Sequence, residues 1–337
     1  MSEGLEILPV HGIGDVTAGD DLAEMITRNA PWLRDGDVLV VTSKIVSKAE
    51  GRLVEVPADG PEREAARADV LAAETRRVVA RRGATAIVQT HHGFVMAAAG
   101  IDASNVDKTH LVLLPASPDD SARRLRADLA ARGLRVGVIV SDTMGRTWRN
   151  GLTDVALGAA GIEPFRDHRG EIDPYGNELQ LTQMAVIDEL AAAGELVKGK
   201  CDQVPVAVVR GYPGAGAAET PGADVLLRDA ASDMFSLGTA EAHAEGLRTA
   251  ATLAESATDE PASAEAVQRA IATAGLAATV AVPSPQTLRC TATDTTPAGL
   301  MRFGADVQRL RSALAAEGLV SAVAYDPTGA TIAVSAA

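Results

Sequence analysis

"LRVGVIVSDTMGRTWRNG", residues 134–151, leads from an apolar run directly into acidic, hydroxyl and arginine side chains. Residues 134–140 are rich in Val and Ile, which predicts a buried β-strand. Open α/β sheets bind ligands beyond the carboxyl ends of their strands, so Asp142 and Thr143 are candidates for a ligand site. The alternative is a surface turn whose charges are solvated, and this segment alone does not separate the two.

The composition limits the classes of partner. The 337 residues are enough for one large and one small domain, and 47% are hydrophobic but only 3% aromatic, so Ala, Val and Leu must fill the core. The formal net charge is −14. This acidic balance disfavours nonspecific binding to nucleic acid or to an anionic membrane, because both need a basic surface. A local cluster of Lys, Arg and metal can still bind an anionic small molecule.

The cysteines and the N-terminal sequence favour a cytoplasmic protein. Cys201 and Cys290 show no metal-ligand spacing, so the simpler interpretation is that both are reduced thiols in a reducing compartment. The first residues lack the basic start and long apolar stretch of a signal peptide. No segment approaches the ~20 uninterrupted apolar residues of a membrane span, so we expect no membrane partner.

Helical and strand patterns alternate along the chain, which predicts a mixed α/β (α+β) fold. The clearest helical patterns are 60–83 and 118–133. At "SATDEPASAEA" (256–266) the composition becomes polar and linker-like. We therefore expect a main domain at 1–252 and a small C-terminal α/β appendage at 253–337.

Three predicted strands are followed by residues that could hold Mg²⁺ and a polyphosphate. Carboxylate oxygens suit Mg²⁺ or Mn²⁺, and Lys and Arg offset the charge of a transferred phosphoryl group. Each loop alone is ambiguous, because surface lysines are commonly solvated and Asp followed by Ser and Asn is typical of an Asx turn. The candidates in the first two loops are Thr42, Ser43, Lys44, Lys48, Asp102, Ser104 and Asn105.

Common nucleotide-binding motifs are missing from the sequence. There is no GxxxxGK[ST], so a P-loop is excluded, and "GIGDVTAG" (12–19) is too loose for a Rossmann fingerprint. The six histidines are scattered, and no pattern indicates a nucleophilic triad. A nucleotide-dependent enzyme with this sequence must use an uncommon fold.

Seven phrases occur together and in order along the chain: "ILPV" with "GI", "GDDL", "DGDVLVVTSKIVSKAEGR", "AAGIDASNV", "SDTMGRTWRNG", "DPYGNEL" and "VPVAVVRG". In this combination they resemble the coenzyme F420-0:L-glutamate ligase family, including the N-terminal ligase domain of its bifunctional actinobacterial form. The resemblance covers about residues 5–250.

The resemblance implies a GTP-dependent ligase with a fold peculiar to the family. Such an enzyme joins L-glutamate to the phospholactyl carboxylate of F420-0 through an acyl phosphate, and then extends a γ-linked polyglutamate tail. It implies Mg²⁺ or Mn²⁺, with K⁺ as a further candidate ion, and a homodimer. Two alternatives stay open: a related nucleotide-dependent amide ligase acting on another carboxylate, and a non-catalytic regulator that binds nucleotide or F420.

The resemblance also assigns roles to residues. Asp102 and Asp142 correspond to ligands of one divalent metal, and Thr143 to a ligand of a second. Asp142, Arg146 and Arg149 are the catalytic candidates, with the arginines neutralising the transferred group, and Lys44, Lys48 and Arg210 complete the expected positive funnel. The positions that correspond to nucleotide contacts are Ile13, Gly14, Asp15, Val16, Ser43, Lys48 and Asn105.

The sequence departs from the family pattern at two places. Archaeal relatives carry a metal-binding glutamate shortly before the "VVRG" strand, whereas "VKGKCDQVPVAVVRG" offers only Asp202 nearby. The acidic ligand of the second metal therefore stays unassigned. The bifunctional form carries a flavin-binding, nitroreductase-like domain, and the tail here is too short for one, so no FMN is expected.

Overall fold

The structure, a computed structural model, describes residues 4–216, 219–251, 253 and 260–336. The chain separates into two compact units, Met1–Ser236 and Leu237–Ala337. The unit boundary thus lies before the predicted domain boundary at 252. The first part of the predicted linker, 256–259, lies outside the described residues.

The first unit contains helices and strands throughout its length. Short 3-10 helices occur at Ala98–Gly100 and Ala223–Leu226. In chain order its other elements are β1 (Glu6–Val10), α1 (Leu22–Asn29), β2 (Val38–Thr42), α2 (Ser43–Ala49), β3 (Leu53–Glu55), α3 (Gly60–Glu74), β4 (Thr75–Arg82), β5 (Thr85–Thr90), β6 (Val95–Ala97), β7 (His110–Val112), α4 (Pro118–Ala131), β8 (Gly137–Arg146), β9 (Arg149–Ala160), β10 (Phe165–Asp167), β11 (Gln183–Ala185), α5 (Val186–Lys198) and β12 (Val206–Arg210).

A five-stranded sheet in the order β1-β12-β2-β8-β9 forms the centre of this unit. Only β2 and β8 pair in parallel; the other neighbours are antiparallel. Leu39 and Val41 pack with α1 and α4 on one face, whereas Val38 and Val40 pack with α5 on the other. Because helices cover both faces, the central strands are apolar at nearly every position. The predicted mixed α/β class is confirmed, and the largely antiparallel pairing distinguishes the sheet from the parallel sheets of Rossmann folds.

Smaller sheets surround this centre. The strands β4-β5-β6 form a three-stranded sheet, and β3-β7 and β10-β11 form two-stranded ones. The predicted helix at 60–83 is wrong in its second half, because α3 ends at Glu74 and Thr75–Arg82 is a strand paired with β5. The β-branched residues of "TRRVV" favour a strand there, and Gly83, at φ 57°, permits the turn to β5.

The stretch that follows residue 140 is a β-hairpin and not a strand exit. β8 runs on to Arg146, β9 begins at Arg149, and the turn between them places Trp148 at φ 67°. β2 ends at Thr42, which is paired with Ser141, so β8 extends beyond its parallel neighbour. Asp142 therefore lies inside a strand, but level with the carboxyl end of the next one.

The second unit is a small α/β module, as expected. Its four strands form an antiparallel sheet in the order β13-β14-β16-β15. α7 and α8 pack on one face through a core that includes Val267, Leu310, Leu288 and Ile332. The elements are α6 (Thr239–Ala251), α7 (Ala264–Ala274), β13 (Thr279–Ser284), β14 (Thr287–Thr291), α8 (Pro297–Ala316), β15 (Leu319–Asp326) and β16 (Gly329–Ala336). Across the described residues, none of the helices has the length and apolar character needed to cross a membrane.

A buried ion pair joins the ends of two central strands in the first unit. Arg210 donates from Nε to Asp37 Oδ1 over 2.8 Å and from Nη2 to Oδ2 over 2.7 Å. Asp37 is 1% exposed, and the guanidinium also lies over the ring of Trp32. Two parallel hydrogen bonds of this kind fix both side chains, so the pair fastens β12 to the start of β2.

We expect Arg210→Met to lower the free energy of unfolding by about 3–5 kcal/mol, because it leaves the Asp37 carboxylate buried without its partner. Urea denaturation measures this. Arg135→Met is the matched control, since Arg135 pairs with Asp35 at the surface, where a pair contributes about 1 kcal/mol or less. Similar losses in the two variants would contradict the buried role of Arg210.

Candidate functional site

A cavity of about 500 Å³ opens where β2 ends and β8 continues. The predicted site residues that line it are Gly14, Asp15, Val16, Lys48, Asp102, Asn105, Asp142 and Thr143. Segments distant in sequence thus meet at one place. The other lining residues include Lys44, Ser104, Asp154, Glu195, Lys198, Lys200, Cys201 and Gln203.

A second cavity of about 490 Å³ shares lining residues with the first. Val16, Lys48, Asn105 and Gln203 are among the residues that border both. Asp107 and His110 line only the second. The two cavities therefore offer room for the separate parts of a large ligand.

Asp142 lies on the part of β8 that extends past the end of β2, next to the start of α2. Ser43, the first residue of α2, donates from Oγ to Asp142 Oδ2 over 3.0 Å, and the Thr143 amide donates to Oδ1 over 2.7 Å. The pKa of Asp142 is raised to about 6. Burial is the largest cause, the two hydrogen bonds oppose it, and the nearby charges of Asp154 and Asp102 add to the rise. Ser43 itself is buried beside the cavity and acts on it through Asp142.

The loop after β6 is held against α2 by two lysines. Lys44 and Lys48 are one turn apart and so lie on the same face of the helix. Lys44 Nζ lies 2.6 Å from Asp102 Oδ2, and Lys48 Nζ donates to the Asn105 carbonyl over 2.9 Å. Asn105 is at φ 57°, in the left-handed region that Asn tolerates better than most residues.

The Asp102 carboxylate is paired and hydrogen-bonded. Oδ1 accepts from the Ser104 amide over 2.7 Å, and Oδ2 accepts from the Ser104 hydroxyl over 3.0 Å. Although burial raises its pKa, the Lys44 ammonium and the Ser104 donors outweigh that effect and hold the pKa of Asp102 below its usual value. Asp102 is therefore ionised at neutral pH.

A buried ion pair that the sequence patterns did not predict lies beneath the cavity. Lys198 Nζ, at the end of α5, lies 2.9 Å from Asp154 Oδ2, and the two side chains are 2% and 3% exposed. Burial raises the pKa of Asp154, but the Lys198 charge and the hydrogen bonds lower it to a net value below normal. The register of the hairpin sets Asp154 opposite Thr143. The signal that could have found it is an acid inside the apolar run "GLTDVALGAAGI", since a buried acid is the informative exception in a core.

Glu195 and Lys200 were also missed. Both line the cavity, and Lys200 Nζ lies 3.3 Å from Glu195 Oε1. Lys200 also donates to the Thr143 hydroxyl. Asp202, the acid that the sequence offered near this position, is not among the lining residues, whereas Glu195 from the preceding helix is.

A known protein family and several known proteins match the part of the chain that forms this cavity. The model of the F420-0:gamma-glutamyl ligase family matches residues 12–211, which include every lining residue of the first cavity. The chain belongs to this family. Membership confirms the resemblance found in the sequence and makes the protein a ligase that forms carbon–nitrogen bonds.

The matches to individual relatives extend over most of each relative's own length. The chain is 40% identical over 250 residues to the coenzyme F420:L-glutamate ligase of Methanothermobacter thermautotrophicus, which is 69% of this chain and 99% of that protein. It is 44% identical over 223 residues to the coenzyme F420:L-glutamate ligase of Halobacterium salinarum, and this match covers 60% of this chain and 85% of that protein. It is 40% identical over 224 residues to the coenzyme F420:L-glutamate ligase of Archaeoglobus fulgidus, and this match covers 63% of this chain and 90% of that protein.

Besides Ser43, four predicted residues do not line the cavity of this ligase. Ile13 is 3% exposed and packs in the core beneath the turn that precedes α1. Arg146 and Arg149 lie exposed at the far end of the β8–β9 hairpin, where Arg146 donates to the Asn150 carbonyl over 3.3 Å. Arg210 is engaged with Asp37. The positive side of the cavity is built by lysines instead.

The side chains that line the cavity fit a divalent cation for which the protein supplies only some of the ligands. Within the described residues there is no group of three or more His, Cys, Asp and Glu side chains able to hold a metal. Asp102 and Asp154 each have a lysine partner, whereas the described residues give Asp142 hydrogen bonds but no cation. Mg²⁺ is commonly held by one or two carboxylates plus waters and substrate phosphates. The residues present fit that arrangement.

Removing the Asp142 charge should stabilise the metal-free protein at high pH. The pKa of Asp142 is about 6 in the fold against an ordinary 3.8, so the folded state binds this proton more tightly. The stability from that proton is complete below the ordinary pKa and is lost as the pH rises through the folded one. We expect Asp142→Asn to raise the melting temperature, measured with a chelator, at about pH 8, with the gain vanishing towards about pH 4.

The matched control is Asp154→Asn. The pKa of Asp154 is lowered in the fold, so loss of its charge should lower the melting temperature at the same high pH. An Asp142→Asn protein that melts at or below the wild-type temperature there would show that the Asp142 charge does not destabilise the fold.

Proposed function

We propose that the protein is a GTP-dependent ligase that joins L-glutamate to the phospholactyl carboxylate of F420-0 and then extends a γ-linked polyglutamate tail. Family membership supports a role in F420 biosynthesis by glutamate ligation. The observation that carries the finer proposal is the cavity in which Asp142 has no cationic partner among the described residues while Lys44 and Lys48 line the same space. This combination suits a nucleotide polyphosphate bound together with a divalent cation.

The proposed reaction has two steps, because a carboxylate and an amine do not condense in water without activation. A carboxylate oxygen of F420-0 attacks the γ-phosphorus of GTP; the bond to the β,γ-bridging oxygen breaks, and GDP leaves. The α-amine of glutamate, after losing a proton, then attacks the carbonyl carbon of the acyl phosphate, and phosphate leaves with the electron pair of the C–O bond. No covalent bond to the protein is needed.

The protein's contribution to these steps is positioning and charge. Asp102 and Asp142 are proposed to hold one divalent cation and Thr143 to contribute to a second, and these cations would offset the charge of the phosphates. Lys48 and the turn at 13–16 are proposed to contact the nucleotide, with Ser43 and Asn105 fixing Asp142 and Lys48 in place. The entry of two anionic substrates into a protein of net charge −14 requires such a local positive region.

Two further features of the proposal, K⁺ as an additional ion and a homodimer, rest on the resemblance alone. Mg²⁺ or Mn²⁺ as the metal is also supported by the carboxylates of the cavity, and a cytoplasmic location by the cysteine usage. The roles of Arg146 and Arg149 also stay predictions; in this structure both lie away from the cavity. The purified protein is expected to be colourless, with no flavin absorbance.

Two rival functions remain distinguishable by experiment. Incubation with F420-0, GTP, Mg²⁺ or Mn²⁺ and L-glutamate, followed by mass spectrometry, should give products that are heavier by one or more glutamyl units. A related ligase would turn over GTP only with another carboxylate in an acceptor panel. A binding-only regulator would bind GTP or F420-0 without releasing phosphate.

We expect Asp142→Asn to abolish ligation while the protein stays folded, because Asn keeps the shape of the side chain but loses the charge that would hold the cation. Product formation by mass spectrometry and the circular dichroism spectrum measure the two effects. Asp128→Asn, on the exposed surface of α4, is the control and should keep wild-type activity. Near-normal ligation by Asp142→Asn at ordinary metal concentrations would remove Asp142 from the site.

Lys48→Ala should weaken GTP binding far more than it lowers the melting temperature. A charged hydrogen bond to phosphate contributes about 1.5–3 kcal/mol, or roughly ten- to a hundredfold in affinity. Isothermal titration calorimetry gives the dissociation constant, and Lys108→Ala, on the exposed loop that follows Asn105, should leave it unchanged. A wild-type constant for Lys48→Ala would mean that Lys48 only fastens that loop through the Asn105 carbonyl.

A further inference from the structure

The buried pair of Lys198 and Asp154 has more hydrogen bonds than a simple ion pair. Lys198 Nζ donates to Asp154 Oδ2 and to the Ser141 hydroxyl, both over 2.9 Å, and lies 3.4 Å from Glu195 Oε2. The Ser141 hydroxyl in turn donates to Asp154 Oδ2 over 2.9 Å. Each of the three ammonium protons therefore has an acceptor in reach, and the side chains cannot rotate independently.

This network ends at the candidate site. Asp154 Oδ1, the oxygen that Lys198 does not use, accepts from the Thr143 hydroxyl over 2.8 Å. Ser141 and Thr143 are the two neighbours of Asp142 on β8, so the network fixes the strand on both sides of that carboxylate. It also directs the hydroxyl proton of Thr143 towards Asp154, which leaves the oxygen free to accept. In the structure that oxygen accepts from Lys200.

Stability alone does not account for such a pair. Replacing a buried ion pair with apolar side chains of similar volume is often neutral or stabilising, because burial removes two charges from water. Arg210 and Asp37, whose side chains are 18% and 2% exposed, form another largely buried pair of the first unit, but neither residue lines either cavity. Lys198 and Asp154, by contrast, line the cavity that holds the candidate metal ligands.

We propose that Asp154 and Lys198 are positioning residues that hold the Thr143 hydroxyl with its oxygen towards the cation and phosphates. The proposal rests on the proposed function, in which Thr143 is a metal ligand. Asp154 sets the direction of the hydroxyl, and Lys198 holds Asp154 in the conformation that accepts it. Outer partners of metal ligands commonly change metal affinity by about ten- to a hundredfold when removed.

A pair of double variants separates positioning from charge. Lys198→Met with Asp154→Leu removes both charges and the acceptor for Thr143. Lys198→Met with Asp154→Asn removes both charges but keeps a side-chain carbonyl oxygen that can accept from Thr143. Both leave no buried charge unpaired, so both should stay folded, and circular dichroism and the melting temperature check this. If the Leu variant does not fold, Asp154→Val replaces it, because a β-branched residue suits the strand.

The readout is the dissociation constant for Mn²⁺, measured from the electron paramagnetic resonance signal of the free ion in the presence of GTP. We expect the Leu variant to bind Mn²⁺ about ten- to a hundredfold more weakly than the wild type, and the Asn variant to recover most of that loss. The KM for Mn²⁺ in ligation should change in the same order. Arg210→Met with Asp37→Asn is the control pair and should leave the Mn²⁺ constant unchanged.

Four results would overturn the proposal. Wild-type Mn²⁺ affinity in the Leu variant would show that the pair does not act on the site, and equal losses in the Leu and Asn variants would show that charge, not hydroxyl orientation, is what matters. A wild-type protein that does not bind Mn²⁺, or an Asp142→Asn protein that binds it normally, would contradict the metal assignment of the proposed function and this proposal with it. The first two results come from the Lys198 and Asp154 variants and the last two from proteins that keep both residues, so the two failures are distinguishable.

Discussion

The candidate site depends on a difference in length between two parallel strands. β2 ends at Thr42 and turns directly into α2, whereas its neighbour β8 continues for five residues beyond the Thr42–Ser141 pair. The continuation, still paired with β9, carries Asp142 and Thr143 past the end of β2 and sets Asp142 beside Ser43, at the start of the helix. If β2 were longer, its backbone would occupy the space in which the Ser43 hydroxyl meets the carboxylate.

The lysines decide which carboxylate is left for a cation. Four aspartates line the cavity. Asp15 is exposed on the turn before α1. Of the other three, Lys44 compensates Asp102 and Lys198 compensates Asp154. Within the part of the chain that the structure describes, Asp142 receives only neutral donors, and burial together with the two neighbouring acids raises its pKa. A divalent cation would relieve that repulsion more effectively than a proton, which is how an acidic protein can build a site for anionic substrates without a basic surface.

The sequence predicts the framework of the fold and most of the lining of the cavity. Strong periodicity identifies the central strands and α4, and motif resemblance brings together Lys48, Asp102, Asn105 and Asp142, which are distant along the chain. Local patterns could not show that the polar stretch after residue 140 pairs with the apolar stretch after it, since hairpin register depends on a partner strand. For that reason Asp154 was missed and the strand was ended too early. In 60–83 the helical composition of the first half concealed the β-branched second half.

Arg146, Arg149 and Arg210 illustrate a different limit. Composition and motif position make each of them a plausible phosphate ligand, but only the fold shows that Arg210 fastens two strands and that the hairpin carries the other two away from the cavity. Lys198 is the converse case: a lysine at the end of an amphipathic helix reads as a solvated charge, yet it is 2% exposed. The helix end is buried because α5 packs on β9, and the ammonium can be tolerated there only because β9 supplies an acid at the matching height. Removing either partner alone leaves an unpaired buried charge next to Thr143. The pair that holds the candidate site in place therefore also makes the site sensitive to single substitutions at residues that need not touch a substrate.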